Sequence, residues 1–280
     1  MTGSSDPRQQ PATSQGSLGS EWRAAREAEQ ERALPSGTVV VSSPAPFGAG
    51  GLGRHLKEIA DAVDRRGAPA TCLCGVALSH MTGSPSPLHH ELEVSGLATA
   101  RPLRRLTRLS PAWANLRRSV AFDGYAARQL PEAEHLIAFN GQALKQFRAA
   151  KRAGYQSVAL LSANSHLRSL LRQHAKAHRQ YPLEGSWATR LLKRNLREYE
   201  MAQRIYVASR YTWESFVAEG CPEDRLSLFP FVPDPRFHPG ETPPSKETFN
   251  IVFTGRLTVD KGVPLLVDAV RRLAHEDLRL

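Results

Sequence analysis

The sequence predicts a doubly wound α/β fold, in which helices cover both faces of a parallel, Rossmann-like sheet. Short β-branched or apolar runs alternate with amphipathic helical patterns along most of the chain. Parallel neighbouring strands cannot be joined by a tight turn, so this alternation favours right-handed crossovers through helices. The chain has 280 residues, of which 41% are hydrophobic, and this is enough for a core of that kind.

The first ordered unit is predicted at residues 38–66. The run TVVVS at 38–42 is typical of a buried parallel strand, a Pro/Gly loop follows it, and residues 52–66 have an amphipathic helical period. Further strands are predicted at 70–75, 134–139, 157–162, 205–208, 225–229 and 250–253. Further helices are predicted at 111–130, 141–153, 165–179, 187–202, 211–219 and 263–275.

The chain divides into four predicted segments. Residues 1–36 are rich in Ser, Gln, Gly and Pro and are predicted to be a disordered tail, with at most a loose helix in its charged part. Residues 37–229 form the first domain. Prolines throughout 230–248 exclude regular helix and central strand and indicate a stiff interdomain linker. Residues 249–280 contain one β-α unit, which cannot bury its own apolar face, so we expect an incomplete second domain.

Composition limits the class of protein. No apolar run approaches the roughly 18 residues of a membrane span, and the polar start lacks the apolar core of a signal peptide. We therefore expect a cytoplasmic protein. Cys72, Cys74 and Cys221 are predicted to be reduced core thiols, since the first two lie two apart in one strand.

The net charge of +10 suggests an anionic partner. Basic residues are dense between 145 and 210 and at a cluster formed by Arg101, Arg104, Arg105, Arg108, Arg117 and Arg118. Such runs are typical of solvated helix faces, and the main alternative is peripheral contact with the anionic inner face of a membrane. Neither zinc-finger spacing nor an aromatic RNA-binding strand accompanies them, so no nucleic acid is expected as a partner.

The loop 46–54 contains a G-x-G-x-x-G pattern at Gly48, Gly50 and Gly53. Two features argue against a dinucleotide site: residues 43–47 separate the strand from the first glycine, and no acidic residue follows the second strand. Two alternatives remain. The glycines either serve a tight turn, or they allow N–H groups at the start of a helix to bind an anion.

A second motif, TGRLTVDKG, lies between a predicted strand and the helix expected to begin near residue 263. Arg256 and Lys261 bracket this loop, so two cations and free N–H groups can converge on a diphosphate. The alternative is a pair of exposed cations on an ordinary loop.

Two polar residues, Asn164 and His166, follow the predicted strand at 157–162. Ligands of doubly wound folds collect at the carboxyl edge of the sheet, so both are candidates for binding an acceptor. The alternative is capping of the next helix by Asn164 or Ser165.

No metal site is predicted. His174 and His178 are one helical turn apart, but the sequence shows neither the acidic residue of H-E-x-x-H nor a clustered third ligand. No pair of catalytic carboxylates is predicted either, because Glu198 and Glu200 face different sides of one helix.

Three stretches resemble glycosyltransferase family 4, the group 1 glycosyl transferases of the two-domain GT-B fold. They are SPAPFGAGGLGRHLKEIADAVDRRG, VASRYTWESFVAEGCPEDRLSLFPFVPDPRFHPG and IVFTGRLTVDKGVPLLVDAV. The resemblance runs from about residue 38 to the C-terminus and is diffuse between 77 and 156. It implies a retaining glycosyltransferase of the hexosyltransferase type, which transfers a sugar from a nucleotide-sugar donor to an acceptor that the sequence does not identify.

By this resemblance, Arg256 and Lys261 bind the donor diphosphate, and Gly50, Gly51 and Gly53 face the donor phosphates across the cleft. The resemblance implies no metal cofactor and no protein nucleophile, so no catalytic residue is named. The family's E-x(7)-E region comes later than this segment, and we therefore expect a truncated donor domain and poor activity of the isolated chain. The alternative is a non-catalytic module that binds an acceptor or a membrane surface, or an inactive remnant of such an enzyme.

Overall fold

The computed structural model describes residues 14–68, 70–75, 90–93, 111–183, 186, 188–232, 249–273 and 278–279. The α-helices in these ranges are α1 (Ser14–Ala33), α2 (Gly50–Arg65), α3 (Pro111–Ala126), α4 (Leu144–Arg152), α5 (Leu167–Gln180), α6 (Leu192–Met201), α7 (Arg210–Val217) and α8 (Val263–Leu273). The strands are β1 (Val39–Ser42), β2 (Ala70–Cys74), β3 (His90–Glu93), β4 (His135–Phe139), β5 (Ser157–Ser162), β6 (Arg204–Val207), β7 (Leu226–Leu228), β8 (Phe249–Asn250) and β9 (Leu278–Arg279).

Seven strands form one sheet in the order β3-β2-β1-β4-β5-β6-β7. Every neighbouring pair in it is parallel. The order reverses at β1, which pairs with β2 on one side and with β4 on the other. The predicted fold class, a Rossmann-like parallel sheet between helices, is confirmed.

The central strands bury alternate residues in two different cores. In β1, Val39 and Val41 belong to one hydrophobic cluster, whereas Val40 belongs to the cluster on the opposite face. In β4, Ile137 packs in the same cluster as Val39 and Val41, and Leu136 packs in the same cluster as Val40. Because both faces are covered, these strands read as continuous apolar runs rather than as alternating ones.

Helix α2 shows how the covering layer is specified. Its buried apolar residues include Leu56, Ile59, Ala60 and Val63, which follow the spacing of one helical face. All four pack in the same cluster as Val39 and Val41 of β1. This packing holds the start of α2 against the centre of the sheet.

Residues 14–33, which the sequence predicts as part of a tail with at most a loose helix, form α1 in the structure. Polar contacts hold the end of this helix: the Gln30 amide donates to the Pro230 carbonyl at 2.7 Å and to the Glu58 carboxylate at 2.8 Å. The Tyr206 hydroxyl donates to the Ala33 carbonyl at 3.1 Å. A pattern search for an apolar face misses this docking because polar groups supply much of it. Residues 1–13 lie outside the described ranges.

Two strands differ from the sequence prediction. The charged run HELE forms β3 at the edge of the sheet, although its composition does not suggest a strand. The strand expected at 250–253 is shorter and earlier: β8 covers Phe249–Asn250 and pairs in parallel with β9. Residues 251–254 have no regular structure.

Cys72 and Cys74 are buried in one core cluster, and none of the three cysteines forms a disulfide. No helix among the described residues is long and apolar enough to cross a membrane. Residues 233–248 of the predicted linker, and Arg101, Arg104, Arg105 and Arg108 of the basic cluster, lie outside the described residues.

Candidate functional site

The glycine loop lies where the strand order reverses. It follows β1. From β1 the strand order runs outward through β2 and β3 on one side, and through β4 to β7 on the other side. In doubly wound folds, a crevice opens outside the carboxyl ends of the strands at such a point. The position of the loop therefore agrees with a ligand-binding edge of the sheet.

Glycine is required at particular positions of this loop. A Cβ atom on Gly53 would lie 1.9 Å from the Pro46 carbonyl oxygen, which is far inside any allowed contact. Gly48 and Gly50 have φ angles of 71° and 62°, in the left-handed region that other residues rarely adopt. The Gly48 N–H donates to the Gly53 carbonyl at 2.9 Å. The loop is thus folded back tightly onto the first turn of α2.

The N-terminus of α2 has free hydrogen-bonding capacity. Its N-cap residue, Ala49, provides no side-chain hydrogen bond. Gly50 and Gly51 are exposed, and a Cβ atom on either would meet open space. Uncapped N–H groups and the positive end of the helix dipole favour an anion there.

The second loop carries Arg256 and Lys261, the two cations that the sequence predicts to bind a diphosphate. It passes through a short 3₁₀ helix, Val259–Lys261, and ends at Gly262, whose φ angle is 74°. Helix α8 then begins at Val263. Arg256 and Lys261 are both exposed, and within the described residues neither side chain forms a hydrogen bond or ion pair. Both cations are therefore available to a ligand.

The structure does not join the two loops directly. Within the described part of the chain, no hydrogen bond connects Gly50, Gly51 or Gly53 with the loop that carries Arg256 and Lys261. The second loop is instead fastened to α5. Asp260 contacts His178, with 2.9 Å between the His178 Nε2 and the Asp260 Oδ1.

His166 does not face an open cleft. Its side chain is 5% exposed, lies 4.8 Å from the Tyr199 ring and 5.0 Å from the Phe216 ring, and accepts from the Arg168 N–H. Burial lowers the pKa of His166 to about 4, so the ring is neutral at pH 7. His166 itself is the N-cap of α5, which corrects the alternative that Asn164 or Ser165 caps the helix.

Asn164 is partly exposed, and its backbone carbonyl accepts from the Ser162 hydroxyl at 2.8 Å. Of the two acceptor candidates, Asn164 is therefore the more accessible.

The sequence analysis missed a buried charged cluster at the carboxyl end of β4. Asp123 accepts from the backbone N–H groups of Lys145 and Gln146 at 2.7 and 2.9 Å, and it pairs with Arg194. Glu198 accepts from the N–H groups of Ala143 and Leu144 at 2.9 and 3.1 Å. The N-terminus of α4 is thus occupied by the protein's own carboxylates and does not offer an anion site.

Glu198 is fully buried, as opposed to the exposed Glu200 on the other side of α6. Burial raises the pKa of Glu198 to about 7, although Arg194 and nearby N–H groups lower it. The expectation that these two glutamates face different sides of the helix is confirmed.

Two cavities lie beside these elements. One of about 280 Å³ is lined by Leu183, Pro264 and residues 257–259, next to the second loop. The other, of about 370 Å³, lies between α3 and α4 and is lined by four cations, Arg128, Lys145, Arg148 and Arg152. Four of the basic residues of the chain therefore lie together around the second cavity.

The chain matches no family model and shows no significant similarity to a curated protein. Any functional assignment therefore depends on the motifs and on the geometry described above.

Proposed function

We propose that this chain is part of a retaining glycosyltransferase that uses a nucleotide-sugar donor. The observation that carries the proposal is the second loop, where Arg256 and Lys261 are exposed and unpaired in the described structure and precede the start of α8. Two free cations at a helix entrance suit a diphosphate. The uncapped N-terminus of α2 at the reversal of strand order supports a second anionic contact.

In the proposed reaction, the bond between the sugar's anomeric carbon and the diphosphate oxygen breaks, and the diphosphate leaves with the electron pair. The oxygen of the acceptor hydroxyl bonds to the same face of the sugar, and the hydroxyl proton passes to an oxygen of the leaving diphosphate. Negative charge grows on the leaving diphosphate, and Arg256 and Lys261 would stabilise it more strongly in the transition state than in the ground state. The N–H groups at Gly50 and Gly51 would add fixed dipoles without the need for reorganisation.

Calorimetry with nucleoside diphosphates tests this proposal. Replacing Arg256 by Ala should remove a charge-assisted contact worth about 1.5–3 kcal/mol, which is roughly ten- to a hundredfold in affinity. Arg271→Ala is the control, because Arg271 is an exposed cation on α8, away from the loop. Equal affinity of the Arg256 variant and the wild type would contradict the assignment.

A second candidate function is binding to an anionic membrane surface. The cavity between α3 and α4 is lined by four cations, and Arg117 and Arg118 are exposed on α3. Arg117 and Gly124 are seven residues apart on α3, so they share a face of this helix. This surface would attract acidic headgroups at roughly 1 kcal/mol per basic residue.

Co-sedimentation with vesicles tests the second candidate. Binding should require phosphatidylserine and weaken as salt is added. A double variant, Arg148→Ala with Arg152→Ala, should bind less than wild type, whereas Arg210→Ala, on the exposed start of α7, should not. Binding that is indifferent to lipid charge and salt would exclude this function.

A further inference from the structure

Two histidines and one aspartate converge between α5 and the second loop. His174 and His178 lie one turn apart on α5, and Asp260 lies in the 3₁₀ helix of the loop. One ligand atom from each residue lies within 4.8 Å of the others. The sequence analysis rejected a metal site because it found no third ligand beside the histidines. The fold supplies that ligand from a residue 82 positions away from His178.

The distances suit a tetrahedral ion. The Asp260 Oδ1 lies 2.9 Å from the His178 Nε2 and 3.6 Å from the His174 Nε2. Zinc bonds of about 2.0–2.2 Å with tetrahedral angles place neighbouring ligand atoms roughly 3.3–3.5 Å apart. All three ligand atoms lie within 4.8 Å of one another, so small side-chain movements would bring them to these separations.

The surroundings also suit a metal. The side chains of His174, His178 and Asp260 are 8%, 14% and 13% exposed, so the cluster is largely shielded from water. The Nδ1 of His174 is 2.7 Å from the Ser186 hydroxyl, a contact that can fix the orientation of the ring and leave Nε2 directed at Asp260.

The chemistry of the three ligands limits which metal ions can bind. Two imidazoles and one carboxylate suit zinc and the neighbouring divalent transition metals, and they do not suit magnesium or calcium, which prefer oxygen ligands. Three protein ligands leave a fourth position for water.

We propose that His174, His178 and Asp260 form a binding site for a zinc-like divalent ion that fastens the second loop to α5. Asp260 lies within the loop that carries Arg256 and Lys261, so an ion here would restrain the backbone between the two cations. The ion would fix the position of the loop, which is a separate role from the proposed transfer reaction. It does not require that reaction, because metal binding and loop protection can be measured without any donor.

The first experiment is a titration of the chelator-treated full chain with Zn²⁺ by calorimetry, and with Co²⁺ by visible absorption. We expect one ion per chain and the intense visible bands of tetrahedral Co²⁺. The variants His178→Gln and Asp260→Asn should each weaken Zn²⁺ binding by at least about tenfold. Asp260→Asn keeps the size of the side chain and a carbonyl oxygen facing His178, so it preserves the fold better than loss of the buried His174.

His55→Gln is the matched control, because His55 contacts Glu58 on α2, with 3.7 Å between His55 Nδ1 and a Glu58 carboxylate oxygen. This variant should bind Zn²⁺ as the wild type does. The proposal is overturned if the chain takes up no Zn²⁺, in which case the cluster is only a hydrogen-bonded His–Asp contact. It is also overturned if His178→Gln and Asp260→Asn bind Zn²⁺ with unchanged affinity.

Hydrogen exchange tests whether the ion restrains the loop. Zn²⁺ should slow exchange of the amides in residues 256–262 of the wild type, and should leave the same amides of Asp260→Asn unchanged. Binding of one ion without any change in loop exchange would refute the fastening role.

Discussion

Gly53 and Pro46 are packed so closely that the position of a Cβ atom on Gly53 lies 1.9 Å from the Pro46 carbonyl oxygen. The nearest atoms are backbone, so no side-chain movement can relieve the contact. The loop before α2 can therefore keep its shape only with glycine at this position.

We predict that Gly53→Ala displaces the glycine loop from α2. Overpacking of a close contact typically costs about 1–3 kcal/mol, and urea unfolding should show a loss of that size. Hydrogen exchange should also increase at residues 46–50, because the hydrogen bond from Gly48 to the Gly53 carbonyl would be lost.

Gly51→Ala is the control for this prediction. Gly51 lies in the first turn of α2, and an added Cβ atom would meet open space. Alanine has the higher helix propensity, so the control should match or slightly exceed the wild type in stability. Equal stabilities of the two variants would show that the loop tolerates a side chain at Gly53.

Asp123 should be the most sensitive carboxylate of the buried cluster. Asp123→Asn removes one of the two carboxylates that pair with Arg194, the other being Glu198 at 3.2 Å, and replaces one acceptor by an amide that cannot accept from the backbone. Arg194 keeps Glu198 as a partner, so the cost is that of the backbone N–H groups left without an acceptor, and we expect a loss of about 1–3 kcal/mol in urea unfolding.

Glu200→Gln provides the comparison for Asp123. Glu200 pairs with Arg197 at 2.9 Å on the exposed side of α6, where both side chains are more than half exposed. Exposed pairs contribute about 0–1 kcal/mol, so this variant should be close to wild type. A loss for Asp123→Asn as small as for Glu200→Gln would mean that Glu198 alone is sufficient to compensate Arg194.

Helix α1 should depend on Gln30. Replacing Gln30 by Ala leaves the Pro230 carbonyl without its donor and removes one of two hydrogen bonds to the Glu58 Oε1, which still accepts from the Val232 N–H. An unsatisfied buried polar group costs about 1–3 kcal/mol. Hydrogen exchange within residues 24–33 should therefore increase. Arg32→Ala, at an exposed position of the same helix, should leave exchange unchanged, and equal exchange in both variants would contradict the polar docking.

Periodicity predicted the parts of the fold that obey a hydrophobic pattern. β1, β4 and β5 are apolar on both faces, and the sequence places each of them within one residue of its observed bounds. Helix α1 was not predicted from periodicity, because contacts of Gln30 and Tyr206 with backbone oxygens hold its end. Strand β3 was not predicted because its residues are mostly charged. Charged residues suit a strand at the edge of a sheet, and β3 lies at the edge.

The candidate site was predicted in the same uneven way. The glycine loop and the Arg256 loop follow local rules for a strand, a turn and a helix start, and the sequence located both. The neighbours of His174 and Asp123 come from distant segments, and no local pattern encodes them. Burial of His166 between Tyr199 and Phe216 depends on packing of three separate elements, so sequence position alone suggested an accessible residue.

The last prediction concerns the pH dependence that His166 gives to stability. The pKa of His166 is about 4 in the folded chain, against 6.5 for the ordinary side chain, and burial is the main cause. The unfolded chain therefore takes up a proton at a higher pH than the folded chain. The contribution of neutral His166 to stability is complete above about pH 6.5 and is lost progressively as the pH falls toward about 4. The full effect is about 3 kcal/mol, since each pKa unit corresponds to roughly 1.4 kcal/mol.

The variant His166→Asn isolates the pH-dependent contribution of His166 to stability, because asparagine is a good N-cap residue and does not titrate. The difference in unfolding free energy between wild type and variant should shrink by about 3 kcal/mol between about pH 7 and about pH 4, as measured by urea unfolding. Comparing the two proteins cancels the titrating groups that do not interact with His166; Glu219 does interact with the ring, so its carboxylate belongs to the measured difference. Parallel pH profiles would mean that His166 titrates as a solvated imidazole, and its role as an accessible acceptor-side residue would then be favoured over its role as a buried cap.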